Sequence, residues 1–286
     1  MPIPKKVAAI HDIAGFGRSS LTVAIPVLSA LGHQTCPVPT AVLSTITGFY
    51  TGYAMLDLST LLPDYLAHWL REDVQLDCIY SGFLGSAAQA DIAIDFIDKL
   101  NTPLVVVDPV FADDSKLYAC FDTGIIPAMK NLISRADIIT PNATEAAFLV
   151  GTDSVGNIKS ACECARALSE QGPDSVIITS VPDESDKISI VVYDKNKNES
   201  FKIANPYLAH ANYPGAGDLF TSVLTAHILC GKTPLESAAI AANFVFMSIK
   251  TACDNNAPLR DGVPFEPMLP QLTKLQGLDI QKIRIC

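Results

Sequence analysis

Short apolar runs alternate with amphipathic stretches along most of the chain, and that alternation predicts its architecture. Residues 7–10, 34–38, 78–81, 104–107, 137–140 and 176–179 read as strands. Of these, 104–107 (Leu-Val-Val-Val) is the most β-branched and ends at Asp108. Residues 20–31, 61–71, 87–100, 125–134, 143–150, 160–171, 219–229 and 235–250 carry helical periodicity. Pro26 is expected to kink the first helix or shift its start, because it lacks an N–H and crowds the preceding turn. Residues 188–193 and 200–204 flank Lys195-Asn196-Lys197-Asn198, which reads as an antiparallel hairpin with a polar turn. Strand–helix alternation with short connections predicts a mostly parallel sheet covered on both faces. Ligands of such sheets bind beyond the carboxyl ends of the strands, so the polar residues there carry the functional reading. No internal repeat, low-complexity tract or linker divides the sequence, and residues 1–286 are expected to form a single domain.

Composition narrows the partners. The chain has 286 residues, 49% of them hydrophobic, enough for a large core. A net charge of −10 and the lack of any basic run argue against a nucleic-acid partner. An acidic protein can still bind a nucleotide where backbone N–H groups and a metal supply the positive field. The first residues are too short and too interrupted for a signal peptide, and no apolar run is long enough for a membrane span. Eight cysteines, at 36, 78, 120, 162, 164, 230, 253 and 286, include no CxxC pair. A cytoplasmic protein with reduced thiols and no membrane partner is the expectation.

Four segments carry candidate chemistry. Asn212-Tyr213-Pro214-Gly215-Ala216-Gly217-Asp218 opens a helix. Its glycines let backbone N–H groups close around an anion, and its carboxylate sits at the same helix start, where the alternative reading is a helix cap. Asp108-Pro109-Val110-Phe111-Ala112-Asp113 places two acids at and after a strand end, suited to Mg²⁺ or to capping a turn. Thr140-Pro141-Asn142-Ala143-Thr144-Glu145 ends a strand and starts a helix; Asn142 and Glu145 have capping-box spacing, and such a pair can also serve a metal and a phosphate. Thr179-Ser180 puts hydroxyls at another strand end.

In this order the segments resemble the ribokinase-like superfamily, and more closely the pyridoxal and pyridoxamine kinases. The resemblance covers residues 7–252. It takes in His11-Asp12-Ile13-Ala14-Gly15-Phe16-Gly17-Arg18-Ser19-Ser20, Ser44-Thr45-Ile46-Thr47-Gly48-Phe49 and Tyr80-Ser81-Gly82-Phe83-Leu84-Gly85-Ser86. It implies a three-layer α/β/α ribokinase-like domain with a mostly parallel central sheet, the 188–204 hairpin forming an antiparallel edge, and a homodimer. It implies Asp218 as catalytic base and Gly215, Ala216 and Gly217 as the anion hole. Asp113 and Glu145 match positions that organise Mg²⁺ and the terminal phosphates of ATP. Asn142, Glu145, Thr179, Ser180 and Tyr118 match nucleotide contacts. Asp108, Thr140 and Thr179 match a monovalent-cation site, with K⁺ as its ion. Asp12, Thr47 and Phe83 match the wall around a pyridine ring, with His11 and Phe49 nearby.

The implied reaction is ATP- and Mg²⁺-dependent phosphorylation of the 5′-hydroxymethyl group of pyridoxal, pyridoxamine or pyridoxine, a salvage step towards pyridoxal 5′-phosphate. A hydroxymethylpyrimidine or sugar kinase of the same superfamily is the nearest alternative. A catalytically silent nucleotide- or vitamin-binding protein is the alternative from another class. The departures that motivate it are Ala216, where the family has Thr, and Ala112, where it has Gly; an alanine at 112 is expected to clash if that position needs a positive φ.

Overall fold

A computed structural model describes residues 3–184, 187–208 and 212–283. The elements run β1 (Lys6–Ala14), α1 (Leu21–Ala30), β2 (Gln34–Leu43), β3 (Met55–Asp57), α2 (Leu62–Arg71), β4 (Cys78–Ser81), α3 (Ala87–Leu100) and β5 (Val105–Val107). They continue with β6 (Ala112–Asp113), β7 (Lys116–Leu117), α4 (Ile125–Ile133), β8 (Ile138–Ile139), α5 (Ala143–Val150) and α6 (Ile158–Ser169). The last are β9 (Ser175–Pro182), β10 (Lys187–Asp194), β11 (Glu199–Pro206), α7 (Ala216–Leu229), α8 (Pro234–Asp254) and β12 (Ile280–Ile283). Ten strands form one sheet in the order β12-β11-β10-β9-β8-β5-β4-β1-β2-β3. The run from β9 to β2 is parallel, while β10, β11, β12 and β3 add antiparallel at its two ends.

The two-residue period of each strand divides its side chains between two cores. Ala8, Ile10, Ile79, Val105, Val107, Ile139, Val176 and Ile178 face α2 to α6. Their neighbours Val7, Cys78, Tyr80, Val106, Ile138 and Ile177 face α1, α7 and α8. Every central strand is therefore apolar on both sides, which gives the near-continuous runs seen in the sequence.

Most elements fall where the pattern puts them, with corrections at four places. Pro26 lies inside α1, which starts at Leu21 and runs to Ala30, so the proline does not set the helix start. Strand β1 reaches Ala14 and β2 reaches Leu43, because they pair along their whole length with a bulge between His11 and Ile13. Three additions were not expected: β3, β12 and the small β6–β7 ribbon. Ala112 lies in extended β6, and the positive φ values of that loop fall on Asp114 (48°) and Ser115 (60°) instead, so the expected clash does not arise. Among the described residues no helix is long and apolar enough to cross a membrane. Cys286 lies outside the described residues, and the other cysteines carry free thiols.

Phe96 of α3 is fully buried against Trp69 of α2, their ring centres 6.1 Å apart. Phe96→Ala should lose about 3–5 kcal/mol of stability through the cavity it leaves, measured by urea unfolding. Leu56→Ser, on a strand residue 62% exposed, should stay within about 0.5 kcal/mol of the parent.

Candidate active site

The carboxyl ends of the parallel strands open on one side of the sheet, and the polar residues of the motifs gather there. Gly215 precedes α7 with φ 80°, and a side chain there would meet the Arg18 carbonyl oxygen at 2.1 Å. Glycine is therefore required twice over at this position, for its backbone angle and for the close approach. Ala216 and Gly217 follow as the first residues of α7, whose unpaired N–H groups and positive dipole end face the opening. Asp218 sits in that first turn. Its Oδ2 accepts a hydrogen bond from the Ser20 N–H at 2.8 Å, and its Oδ1 lies 3.9 Å from His11 Nδ1. That second approach is not an ion pair. Burial pushes the His11 imidazole down to about 3, so the ring is neutral, and neither ring nitrogen has a partner.

Asp108 follows β5 and is buried. Thr221 Oγ1 donates to Asp108 Oδ2 at 3.1 Å and lies 2.9 Å from Thr140 Oγ1. Burial, and then the nearby Asp218 charge, raise the Asp108 carboxyl above its ordinary range; the two threonine hydroxyls pull the other way. Asp218 is raised too, by burial, against the pull of the Ser20 amide. On α5, Asn142 and Glu145 form the capping box: Glu145 N–H donates to Asn142 Oδ1 and Asn142 N–H to Glu145 Oε2, both at 2.8 Å. The pair does more than cap. Glu145 Oε1 accepts from Phe111 N–H at 3.2 Å, and Asn142 Nδ2 donates to the Ala112 carbonyl at 2.8 Å, tying the β5–β6 loop to the helix start. Burial and the Asp108 charge raise the Glu145 carboxyl well above its usual range.

One cleft of about 790 Å³ is lined by Asp108, Asp113, Tyr118, Thr140, Asn142 and Glu145. Thr179, Ser180, Gly215, Ala216, Gly217 and Asp218 complete the set of candidates that meet there. Six acids line this cleft (Asp108, Asp113, Asp114, Glu145, Asp153 and Asp218), and no Lys, Arg or His does so among the described residues. A polyphosphate could enter only with cations of its own. No group of three or more His, Cys, Asp or Glu among the described residues is arranged to hold a metal by itself. The carboxylates of Asp113 and Glu145 on this cleft are a donor set that fits Mg²⁺, which takes one or two carboxylates and completes its shell with phosphate oxygens and water.

Asp12, Thr47 and Phe83 do not line that cleft. Asp12 is buried beside the Ser20 hydroxyl and the Asp218 charge. Phe83 is half-buried with its ring centre 5.7 Å from that of Phe121, and Thr47 is exposed in the loop after β2. They nevertheless leave neighbouring strands: Ile10 of β1 pairs with Ser81 of β4, so Asp12 and Phe83 emerge side by side, and Ala14 pairs with Leu43 of β2. Sequence reasoning missed two partners in the site. Thr221 stands three residues after Asp218 on one helix face, a spacing that points to it. The Ser20 amide has no comparable signal.

The fold and site define a phosphotransferase class, the ribokinase-like kinases: a parallel sheet with an anion-binding helix start, a carboxylate beside it and an acidic cleft. Residues 24–260 match the family model described as phosphomethylpyrimidine kinase, and the chain belongs to that family. A pyridoxine/pyridoxal/pyridoxamine kinase of Bordetella avium is 31% identical over 85% of this chain and 83% of its own. A Bacteroides thetaiotaomicron protein assigned to the phosphomethylpyrimidine kinases, in a crystal form with pyridoxal, superposes with a TM-score of 0.92. It is 41% identical, over 98% of this chain and 100% of its own. The pyridoxal kinase of Lactobacillus plantarum superposes at 0.87 with 30% identity, over 94% of this chain and 97% of its own.

Burial, eased by the Ser20 hydroxyl and reinforced by Asp218, pushes the Asp12 carboxyl from 3.8 up to about 6. A carboxyl raised on folding holds its proton more tightly in the fold, so it imposes no penalty below about 3.8. The penalty develops between 3.8 and 6 and is complete above that. Asp12→Asn should therefore be more stable than the parent near neutral pH, by up to about 3 kcal/mol, and should lose that advantage near pH ~4. Urea midpoints of both proteins at the two pH values test this; an advantage independent of pH would refute the titration of Asp12.

Proposed function

We propose that this protein transfers the γ-phosphoryl group of ATP to the 5′-hydroxymethyl group of a vitamin B6 pyridine, pyridoxal, pyridoxamine or pyridoxine, and that residues 1–286 act as one kinase unit. The observation that carries the reading is Asp218: a carboxylate only 11% exposed in the first turn of α7, beside free helix N–H groups, facing a cleft rich in acids. Crystallisation of the 41%-identical Bacteroides protein with pyridoxal supports the choice of ring.

In this mechanism the substrate hydroxyl passes its proton to the Asp218 carboxylate. The alcohol oxygen forms a bond to the γ-phosphorus, the bond from that phosphorus to the bridging oxygen breaks, and ADP leaves. The raised affinity of Asp218 for a proton makes it a better acceptor than an exposed aspartate. The N–H groups of Gly215, Ala216 and Gly217 hold the phosphoryl oxygens as charge shifts towards the leaving group. Asp113 and Glu145 would hold Mg²⁺, which when bound would supply the neutralising charge that the described cleft residues lack. Asn142, Thr179, Ser180 and Tyr118 contact the nucleotide. The apolar stretch of the cleft formed by Ile188, Ile190, Phe246 and Ile249 suits a flat base. Asp108, Thr140 and Thr179 would hold a monovalent cation. Asp12, Thr47 and Phe83, on the ends of β1, β2 and β4, face the pyridine ring.

A hydroxymethylpyrimidine or its phosphate as acceptor is the second reading, favoured by the description of the matching family. Coupled ADP release with pyridoxal, pyridoxamine, hydroxymethylpyrimidine, ribose and fructose separates the readings. A B6 vitamer should exceed either sugar at least ~10-fold in kcat/KM, which needs about 1.4 kcal/mol of differential transition-state binding. If the pyrimidine is used best, the ring assignment fails and the phosphoryl-transfer chemistry stands. Asp218→Asn should bind ATP normally and lose ~10²-fold or more in turnover; turnover close to the parent's would remove Asp218 from the mechanism. Replacing a bulky organic cation by K⁺ at constant ionic strength should raise activity, and a flat response would leave Asp108, Thr140 and Thr179 without a cation to bind.

A further inference from the structure

Ser20 has φ 51° and ψ −128°, a region that glycine enters freely and other residues enter only under strain. The strain places its N–H on Asp218 Oδ2, across 198 residues of sequence. The Ser20 hydroxyl reaches Asp12 and its carbonyl accepts from the Val23 and Ala24 N–H groups, which fixes the residue on its helix side; the loop before it must be held as well. That loop is fastened at Arg18. The Arg18 N–H donates to the Asp261 carbonyl at 3.2 Å, and its Nη1 donates to the same oxygen at 3.2 Å. Its Nε donates to Glu266 Oε1 at 2.6 Å. Its carbonyl lies against Gly215 on one side and Gly262 on the other: a methyl group at 262 would stand 2.8 Å from that oxygen and 2.9 Å from Arg18 Cβ. Val263 N–H in turn donates to the Pro214 carbonyl at 3.2 Å, so the segment that grips Arg18 also grips the loop carrying Gly215.

We propose that Arg18 and Gly262 are positioning residues: together they clamp the 15–20 loop against the α7 start, so that the Ser20 N–H occupies Asp218 Oδ2 and leaves Oδ1 to receive the substrate's proton. This rests on the reading of Asp218 as the base. Gly262 does not line the cleft, so it acts through Arg18 and not on a ligand. The exposed Arg18–Glu266 ion pair contributes little by itself; the two bonds to the Asp261 carbonyl, one from the backbone N–H and one from Nη1, and the close packing of two glycines on one carbonyl carry the restraint. A methyl at 262 displaces Arg18, and the displacement passes along two peptide units to Ser20.

The test compares the parent, Gly262→Ala, Arg18→Ala, Arg18→Lys and Asp218→Asn, with Arg71→Ala as an exposed control distant in sequence. The readouts are kcat, the KM for ATP with pyridoxal as acceptor, the thermal midpoint, and deuterium exchange of the peptide containing Ser20. Gly262→Ala and Arg18→Ala should lower kcat about 10-fold, leave the KM for ATP within about twofold, and speed exchange at Ser20. Arg18→Lys, which can still reach the Asp261 carbonyl, should recover part of the loss. Unchanged exchange at Ser20 in both Gly262→Ala and Arg18→Ala overturns the clamp, whether or not pyridoxal is turned over. A loss of kcat matched by an equal change in the KM for ATP overturns it as well. Full turnover in Asp218→Asn would instead remove the base, a different failure from loss of the clamp. A variant that merely unfolds would show a lowered thermal midpoint with exchange raised throughout the chain, and Arg18→Lys then decides: kcat and Ser20 exchange that recover together relative to Arg18→Ala support the clamp, and kcat that stays reduced beside parent-like exchange overturns it.

Discussion

A largely enclosed carboxylate with no Lys or Arg beside it among the described residues is the constraint around which this structure is arranged. Asp218 is held by one backbone N–H, faces a neutral imidazole, and shares its surroundings with Asp108 and Asp12, whose proton affinities are also raised. Ionised together, such groups repel one another and are poorly solvated. The fold carries that load because two continuous apolar layers, one on each face of a sheet buried throughout its centre, stabilise everything beneath the site. The unfavourable electrostatics are also what a phosphoryl-transfer site needs: a basic oxygen and an unmet demand for positive charge that a metal–nucleotide complex can supply.

The sheet order separates the two halves of the reaction. Residues that match nucleotide, metal and cation contacts lie on or after the carboxyl-end halves of β5, β8 and β9, while those that match the acceptor ring lie on or after those of β4, β1 and β2. Asp218 enters from α7, which packs on α1 and meets the first half through Thr221 and Asp108 and the second through Ser20. A doubly wound sheet places its ligands at such strand ends because loops there are free to vary while the strands are not. The capping box at Asn142 and Glu145 has both of the roles its spacing allows: it starts α5, and it ties the Asp113 loop to that helix through Phe111 and Ala112.

Local pattern settled a great deal of this protein. Short apolar runs located the six parallel strands, helical periodicity located the eight α-helices of the described residues to within a few residues, and the Lys-Asn-Lys-Asn turn marked the β10–β11 hairpin. These features follow from side-chain chemistry acting over a few residues, and the order of the motifs then brought the candidate acids to one end of the sheet. Tertiary structure alone decided the rest. Strands β3 and β12 are short, largely exposed pieces that become strands only because β2 and β11 offer them an open edge. The loop after Asp108 accommodates Ala112 because its turn is made at Asp114 and Ser115. The bond from Ser20 to Asp218 uses a backbone N–H, a group every residue but proline possesses, in a conformation that serine does not favour by itself. Sequence records which side chains are available; it does not record which amide a distant loop will press against a carboxylate, because that is fixed by packing across the whole domain.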